Sequence, residues 1–140
     1  MCSAISRSRS AEAEPDPNPV RVLVLADDLI WSTRLIAGVV ASGAQCEPVR
    51  TLAALDAALP DADAVIVDLT ARAYDGVAAV RQAAAAGKRV LAVGQHDDLE
   101  LRRRALEAGA ERVHPYRKLF DNGPATLAGW LKSEVEAPAR

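Results

Sequence analysis

Three aspartates stand where apolar runs stop. "VLVLADD" ends on Asp27 and Asp28, and "DADAVIVDLTARAYDG", residues 61–76, carries a β-branched run that halts on Asp68. Asp75 and Gly76 follow seven and eight residues after Asp68. A carboxylate at the mouth of a buried strand loses hydration at a cost unless something pairs with it. If the two runs are neighbouring strands, Asp27, Asp28 and Asp68 converge on one edge and repel one another, a strain that a cation relieves. Mg2+ suits such a site, since it takes one or two carboxylates and fills its octahedron with waters and a phosphoryl oxygen. The same site would prepare Asp68 as a nucleophile toward phosphorus. A structural reading competes with this one. Asp28 before "LIWSTR" can cap a helix without any metal, as can Asp75 before Gly76, and Asp97 and Asp98 after "RVLAVG".

The elements that would position these groups alternate along the chain. Apolar runs at 20–26, 45–50, 64–68, 89–94 and 111–115 read as strands, the second weak and short. Helical segments follow each of them, at 29–43, 51–63, 76–87, 97–109 and 124–135. Gly43 and Gly87 are expected stops, Thr51 a cap and Pro60 a terminator. The apolar faces expected are Leu29, Ser32, Ile36, Val39 and Val40 on the first helix, and Leu99, the Arg102 stem, Ala105 and Leu106 on the fourth. Leu127, Trp130 and Leu131 form the expected inner stripe of the last. Strands that are apolar throughout and separated by helices predict an α/β fold, a doubly wound five-stranded parallel sheet with helices on both faces. Ligands of such sheets gather at the carboxyl ends of the strands, where the three aspartates lie.

These residues bring the chain to a family. Over about residues 20–135 it resembles the receiver domain of two-component response regulators, in a stand-alone, degenerate or pseudo-receiver form. "VLVLADD" is similar to that family's first strand and acidic pair, "VIVDLTARAYDG" to its third strand with the phosphoacceptor, and "ALEAGAERV" to the helix and turn before its fifth strand. The resemblance implies a flavodoxin-like fold, Mg2+ held by Asp27, Asp28 and Asp68, and phosphorylation of Asp68. The chain departs from the family on the other side of the site. Receivers end the fourth strand on Thr or Ser, where this chain has Gly94 and Gln95. They place a Lys beside a Pro after the fifth strand, whereas "VHPYRK" aligns Tyr116 there and brings Lys118 two residues late. The family's Met-Pro after the phosphoacceptor is Ala71-Arg72 here. An acyl phosphate adds about −1.5 to −2 of charge, and here neither the fixed cation nor the reporting hydroxyl stands in its usual place.

Other side chains offer weaker chemistry. His96, after the fourth strand, could act as a ligand or proton shuttle beside the carboxylates. Thr70, Gly94, Gln95, His96 and Lys118 complete the candidate site as accessory groups. His114 reads as structural, Trp31 as packing over the rim of the acidic site or the sheet, and Trp130 as core. "LRRRALE" reads as a solvated face with Glu100 and Arg104 paired. "AAAAGKRV" lacks the upstream Gly and following Ser or Thr of a P-loop, and G-x-G-x-x-G and G-x-S-x-G are both missing from the sequence. An aspartyl-phosphate hydrolase of the haloacid dehalogenase type would need an acid two residues past Asp68, where Thr70 stands.

Composition bounds the rest. A formal charge of −2 gives no bias toward nucleic acid or an anionic membrane, and no apolar run approaches the ~18 residues of a membrane span. Cys2 and Cys46 have no metal-ligand spacing, and a reducing cytoplasm is the expected compartment. The expected organisation is a polar leader (1–18), a receiver-like domain (19–136) and a polar tail (137–140). The expected function is signalling or adaptor work rather than catalysis. It proceeds either through Asp68 phosphorylation or, as a pseudo-receiver, without it. The expected partner is a histidine kinase, a downstream signalling protein or a second copy in a homodimer, read through the fourth and fifth helices.

Overall fold

The computed structural model describes residues 19–132, so the leader and tail expected at 1–18 and 137–140 lie outside the described residues. Among the described residues five strands alternate with five helices: β1 (Arg21–Leu25), α1 (Leu29–Ala41), β2 (Gln45–Val49), α2 (Leu52–Ala58), β3 (Ala64–Asp68), α3 (Gly76–Ala85), β4 (Arg89–Gly94), α4 (Leu99–Ala108), β5 (Arg112–Pro115) and α5 (Tyr116–Lys132). A 3-10 turn, Leu59–Asp61, closes α2 with Pro60 in it. All strand pairs are parallel and their order is β2-β1-β3-β4-β5. The predicted doubly wound sheet is the observed one.

The order explains the apolar runs. β1, β3 and β4 are inner strands covered on both faces, and Val22 to Leu25, Ala64 to Val67 and Val90 to Val93 are buried. β2 is an edge strand with one buried residue, Val49, and carries Pro48, which cannot donate to a further strand. Residue parity divides the core. Val22, Val24 and Ile66 pack with Leu35 and Val39 of α1 and Leu127 and Trp130 of α5. Leu23, Leu25, Val65 and Val67 face the other way, toward α2, α3 and α4.

Two predicted helix faces hold only in part. On α1, Val39 is buried and Ile36 packs against the core as expected, whereas Leu29 and Val40 are 70% and 58% exposed and Leu35 and Gly38 are buried in their place. Gly38 is the reason α1 can lie close to α5, since a Cβ there would stand 2.7 Å from Leu127 Cδ1. On α4, Ala105 is buried as expected, while Leu99 and Leu106 are exposed. The pair expected between Glu100 and Arg104 is made by Arg103, which bridges Glu100 and Glu107. The caps follow the reading more closely: Asp28, Thr51, Asp75 and Asp98 each accept backbone N–H groups at a helix start, whereas Asp97 does not cap α4.

The last helix starts earlier than the predicted 124–135, at Tyr116 directly after β5. Two helical segments meet at Asn122, whose backbone is non-helical (φ −151°, ψ 45°), and Pro124 follows within the second segment. This early start brings Tyr116 to the carboxyl edge of the sheet.

Candidate functional site

Asp68 closes β3 and is 2% exposed. Its Oδ1 accepts the Thr70 N–H (3.0 Å), the Thr70 hydroxyl (3.1 Å) and the Tyr116 hydroxyl. The Thr70 and Tyr116 hydroxyls also touch each other. Tyr116 is held from its other side by Trp31, with ring centroids 4.5 Å apart at 34°. Burial, then the hydrogen bond and charge of Asp68, hold the Tyr116 phenol above its usual pKa, although Thr70 opposes this. Tyr116 is therefore a neutral donor at neutral pH.

The acidic pair is anchored separately. Asp27 Oδ2 accepts the N–H groups of Arg72 (2.9 Å) and Ala73 (3.0 Å) from the loop after β3. Asp28 Oδ1 accepts those of Ile30 (2.8 Å) and Trp31 (3.0 Å) and so caps α1. Under them lies Tyr74, a residue sequence reasoning missed. Its buried hydroxyl stands 2.9 Å from both the Leu25 and Asp68 carbonyl oxygens, fastening the ends of β1 and β3. Burial first, then the charges of Asp68 and Asp27, raise its pKa, so this phenol too keeps its proton. A lone Tyr between two Asp-terminated segments was the available signal.

Asp27, Asp28, Trp31, Asp68, Thr70, Arg72, Gln95 and Tyr116 line one open cleft of about 460 Å³. Trp31 thus packs at the rim, as expected. Of the accessory residues, Thr70 and Gln95 belong to the cleft. Gly94 is buried at the end of β4, and a Cβ added there would meet the Leu69 side chain at 3.5 Å. His96 and Lys118 are exposed and outside the cleft lining. Lys118 instead stands near His114 on β5. Burial, followed by the charges of Lys118, Arg112 and Arg102, lowers the His114 pKa to about 4, and its Nε2 is buried without a hydrogen-bond partner.

Sharing a cleft is not the same as sharing an ion. Among the described residues no three His, Cys, Asp or Glu side chains group as a metal site. The tight tri-carboxylate cluster expected from sequence is therefore not formed. Each carboxylate has a different local anchor: the β3–α3 loop for Asp27, the α1 start for Asp28, and Thr70 with Tyr116 for Asp68. Asp27 and Asp28 each engage a single oxygen in these bonds.

No protein-family model matches the chain, and no curated protein matches it. Solved structures do. The signal receiver domain of a DNA-binding response regulator from Colwellia psychrerythraea 34H is 18% identical, with 81% of this chain and 99% of that one covered at a TM-score of 0.68. A response regulator receiver domain protein from Methanospirillum hungatei JF-1 is 19% identical over 81% of this chain and 98% of that one, at 0.64. A response regulator from Burkholderia pseudomallei, solved with a phosphorylated aspartic acid, calcium ion and citrate, is 15% identical over 69% of this chain, at 0.61. The match spans 59% of that protein's length. The fold is that of response-regulator receiver domains. Among the described residues, no helix is long and apolar enough to cross a membrane.

Proposed function

We propose that this receiver-fold chain is a signalling or adaptor module that acts through contacts with a protein partner, independently of phosphorylation. The observation that carries the reading is the hold on Asp68: a 2% exposed carboxylate whose Oδ1 is already occupied by Thr70 and Tyr116. The Tyr116 phenol, stacked on Trp31, stands where a receiver's cation would, and a neutral hydroxyl cannot offset the charge that a phosphoryl group adds. The partner is a signalling protein, a histidine kinase or a component downstream of one.

A second reading has its own support. Asp27, Asp28 and Asp68 line one cleft at the carboxyl edge of the sheet, and the Burkholderia relative carries a phosphorylated aspartate with calcium. On that reading Asp68 is a phosphoacceptor with Mg2+ nearby.

Intact mass separates the two. The protein is incubated with Mg2+ and acetyl phosphate beside Asp68→Asn. The module reading expects no adduct in either. A phosphate-sized adduct on the wild type that vanishes in the variant would overturn it.

A further inference from the structure

We infer that the carboxylate cleft receives a guanidinium: an arginine of the protein partner enters beside Asp27, Asp28 and Asp68, while apolar neighbours of that arginine rest on Ile30 and Phe120 at the rim. The inference deepens the module reading, rests on it, and states what chemistry the partner must bring.

The first observation is hydrogen-bonding capacity left unused. Asp68 is 2% exposed, and every bond to its carboxylate falls on Oδ1, so Oδ2 is open in a nearly buried residue that lines the cleft. Asp27 takes its two N–H groups on Oδ2 and Asp28 takes its two on Oδ1, which leaves Asp27 Oδ1 and Asp28 Oδ2 open as well. A nearly buried carboxylate oxygen without a donor is costly. Arg72 also lines the cleft, but its bond to Asp27 runs through the backbone N–H and not through its guanidinium.

The arrangement suits a planar cation better than a point charge. Among the described residues the three carboxylates do not group as a site for one metal ion. They border a cleft of about 460 Å³ together with Trp31 and Tyr116. A guanidinium carries five N–H donors on a rigid fork, is more weakly hydrated than an ammonium, and packs on aromatic faces. Each property answers a feature of the cleft: acceptors on separate anchors, one of them nearly buried, and aromatic residues in the wall.

The rim assigns the guanidinium to a protein. Ile30 and Phe120 are 69% and 58% exposed. Ile30 directly precedes Trp31 in the first turn of α1, and Phe120 lies one turn beyond Tyr116 on α5. Arg34 follows Ile30 by one turn, and its guanidinium carbon stands 4.3 Å from the Phe120 ring centroid. These contacts join the two exposed side chains into one strip beside the cleft. A small free cation gains nothing from that strip, whereas an arginine flanked by apolar residues covers it.

The test uses the full chain labelled with 15N. The probe is acetyl-Leu-Arg-Leu-amide, and the control is the same peptide with citrulline, an uncharged isostere, in place of the arginine. The readout is the Trp31 indole N–H signal in heteronuclear NMR spectra, with the Trp130 indole, bonded to Glu111 at the amino edge, as internal reference. The expected result is a saturable shift of Trp31, none of Trp130, and a dissociation constant about tenfold lower for the arginine peptide than for the citrulline one. Asp68→Asn and Asp28→Asn each remove a charge while keeping an acceptor for the existing bonds, and each should weaken the arginine peptide by about threefold to tenfold. Ile30→Ser should weaken both peptides by the same factor. The citrulline comparison needs no substitution in the protein, so it stands even if a variant unfolds. Citrulline and arginine peptides binding within about twofold of each other would overturn the inference, as would no Trp31 shift at about 10 mM arginine peptide. A lysine peptide that binds as tightly would overturn the choice of guanidinium. Those outcomes leave the module reading standing, since that reading falls only to the phosphate adduct.

Discussion

Arg89 and Asp68 sit at opposite ends of neighbouring strands, and the molecule satisfies their charges in different ways. Arg89 opens β4 at the amino edge of the sheet. It meets Glu111 through two bonds of 2.9 Å, donates to the Trp130 and Leu131 carbonyls at 2.8 and 3.2 Å, and lies 5.0 Å from the Trp130 ring centroid. Trp130 Nε1 donates to the same Glu111 carboxylate. Asp68 closes β3 at the carboxyl edge, and the partners of its carboxylate are an amide and two hydroxyls. Opposite charge, aromatic face and helix end are joined at one edge. At the other, carboxylates bordering one cleft are each kept in place by neutral donors. The first arrangement is a clamp between α5 and the sheet, complete within the chain. The second leaves three carboxylates at a cleft in which Arg72 is, among the described residues, the one cationic lining residue.

Breaking the clamp should have the largest effect on stability. Arg89→Met keeps most of the stem but leaves Glu111 partly buried without its guanidinium and α5 without its carbonyl contacts. The expected cost is about 2–4 kcal/mol, somewhat below that of a fully buried pair because both side chains retain some exposure. Urea unfolding checks it. A loss under about 1 kcal/mol would mean that the clamp is a surface pair. Glu111 should carry an acid signature of the same contact. Burial pushes its carboxyl up, yet the hydrogen bonds from Arg89 and Trp130 and the Arg89 charge hold it below the usual range. Its folded pKa is depressed, so its contribution is present above the unfolded value of about 4.3 and fades as pH falls through the folded one.

His114 sharpens the comparison, because it lies between the two edges on β5 and is satisfied in neither manner. With a folded pKa of about 4 against 6.5 unfolded, the unfolded chain takes up its proton first as pH falls. Stability from this group is therefore complete above about pH 6.5 and declines toward pH 4. The imidazole is half-buried, so solvent screening reduces the effect to about 1–2 kcal/mol. His114→Leu should flatten the slope of urea stability between about pH 7 and 4.5. An unchanged slope would assign that pH dependence to other groups.

The same contrast governs what the sequence discloses. Continuous apolar runs disclose inner strands, because a parallel sheet covered on both faces needs no polar side, and Asp28, Thr51, Asp75 and Asp98 disclose helix starts through purely local bonds. Helix faces were less legible. Leu29, Val40, Leu99 and Leu106 drew the eye by size, while Gly38 marks the buried face of α1 because it lets α5 approach. The carboxylates were legible as a group and not as individuals. Their anchors come from backbone N–H groups 45 and 46 residues away for Asp27, and from a hydroxyl 48 residues away for Asp68. Tyr116 read as a missing lysine, since a residue aligned for its charge gives no sign that it will supply a hydroxyl. Asn122, Gly123 and Pro124 hid the first segment of α5 by resembling a break.

The smallest expected effect is the sharpest test of the contrast. Asp68→Asn removes one charge from the carboxyl edge, as Arg89→Met removes one from the amino edge. The introduced amide's carbonyl oxygen can accept the same N–H and the same two hydroxyls that now converge on Oδ1. These bonds lose the strengthening that an ionised acceptor gives. Against that loss, Asp27 and Asp28 are freed from a like charge bordering the same cleft. The two changes oppose each other, and unfolding free energy should move by less than about 1 kcal/mol in either direction. Adding Tyr116→Phe to each form closes a double-mutant cycle. Removing the hydroxyl should cost about 1 kcal/mol more beside the wild-type Asp68 than in the Asp68→Asn background, because a hydroxyl bonds an ion more strongly than an amide. If Asp68→Asn costs as much as Arg89→Met, the carboxyl edge depends on charge after all, and the distinction between a clamp built on an ion pair and a cleft held by neutral donors fails.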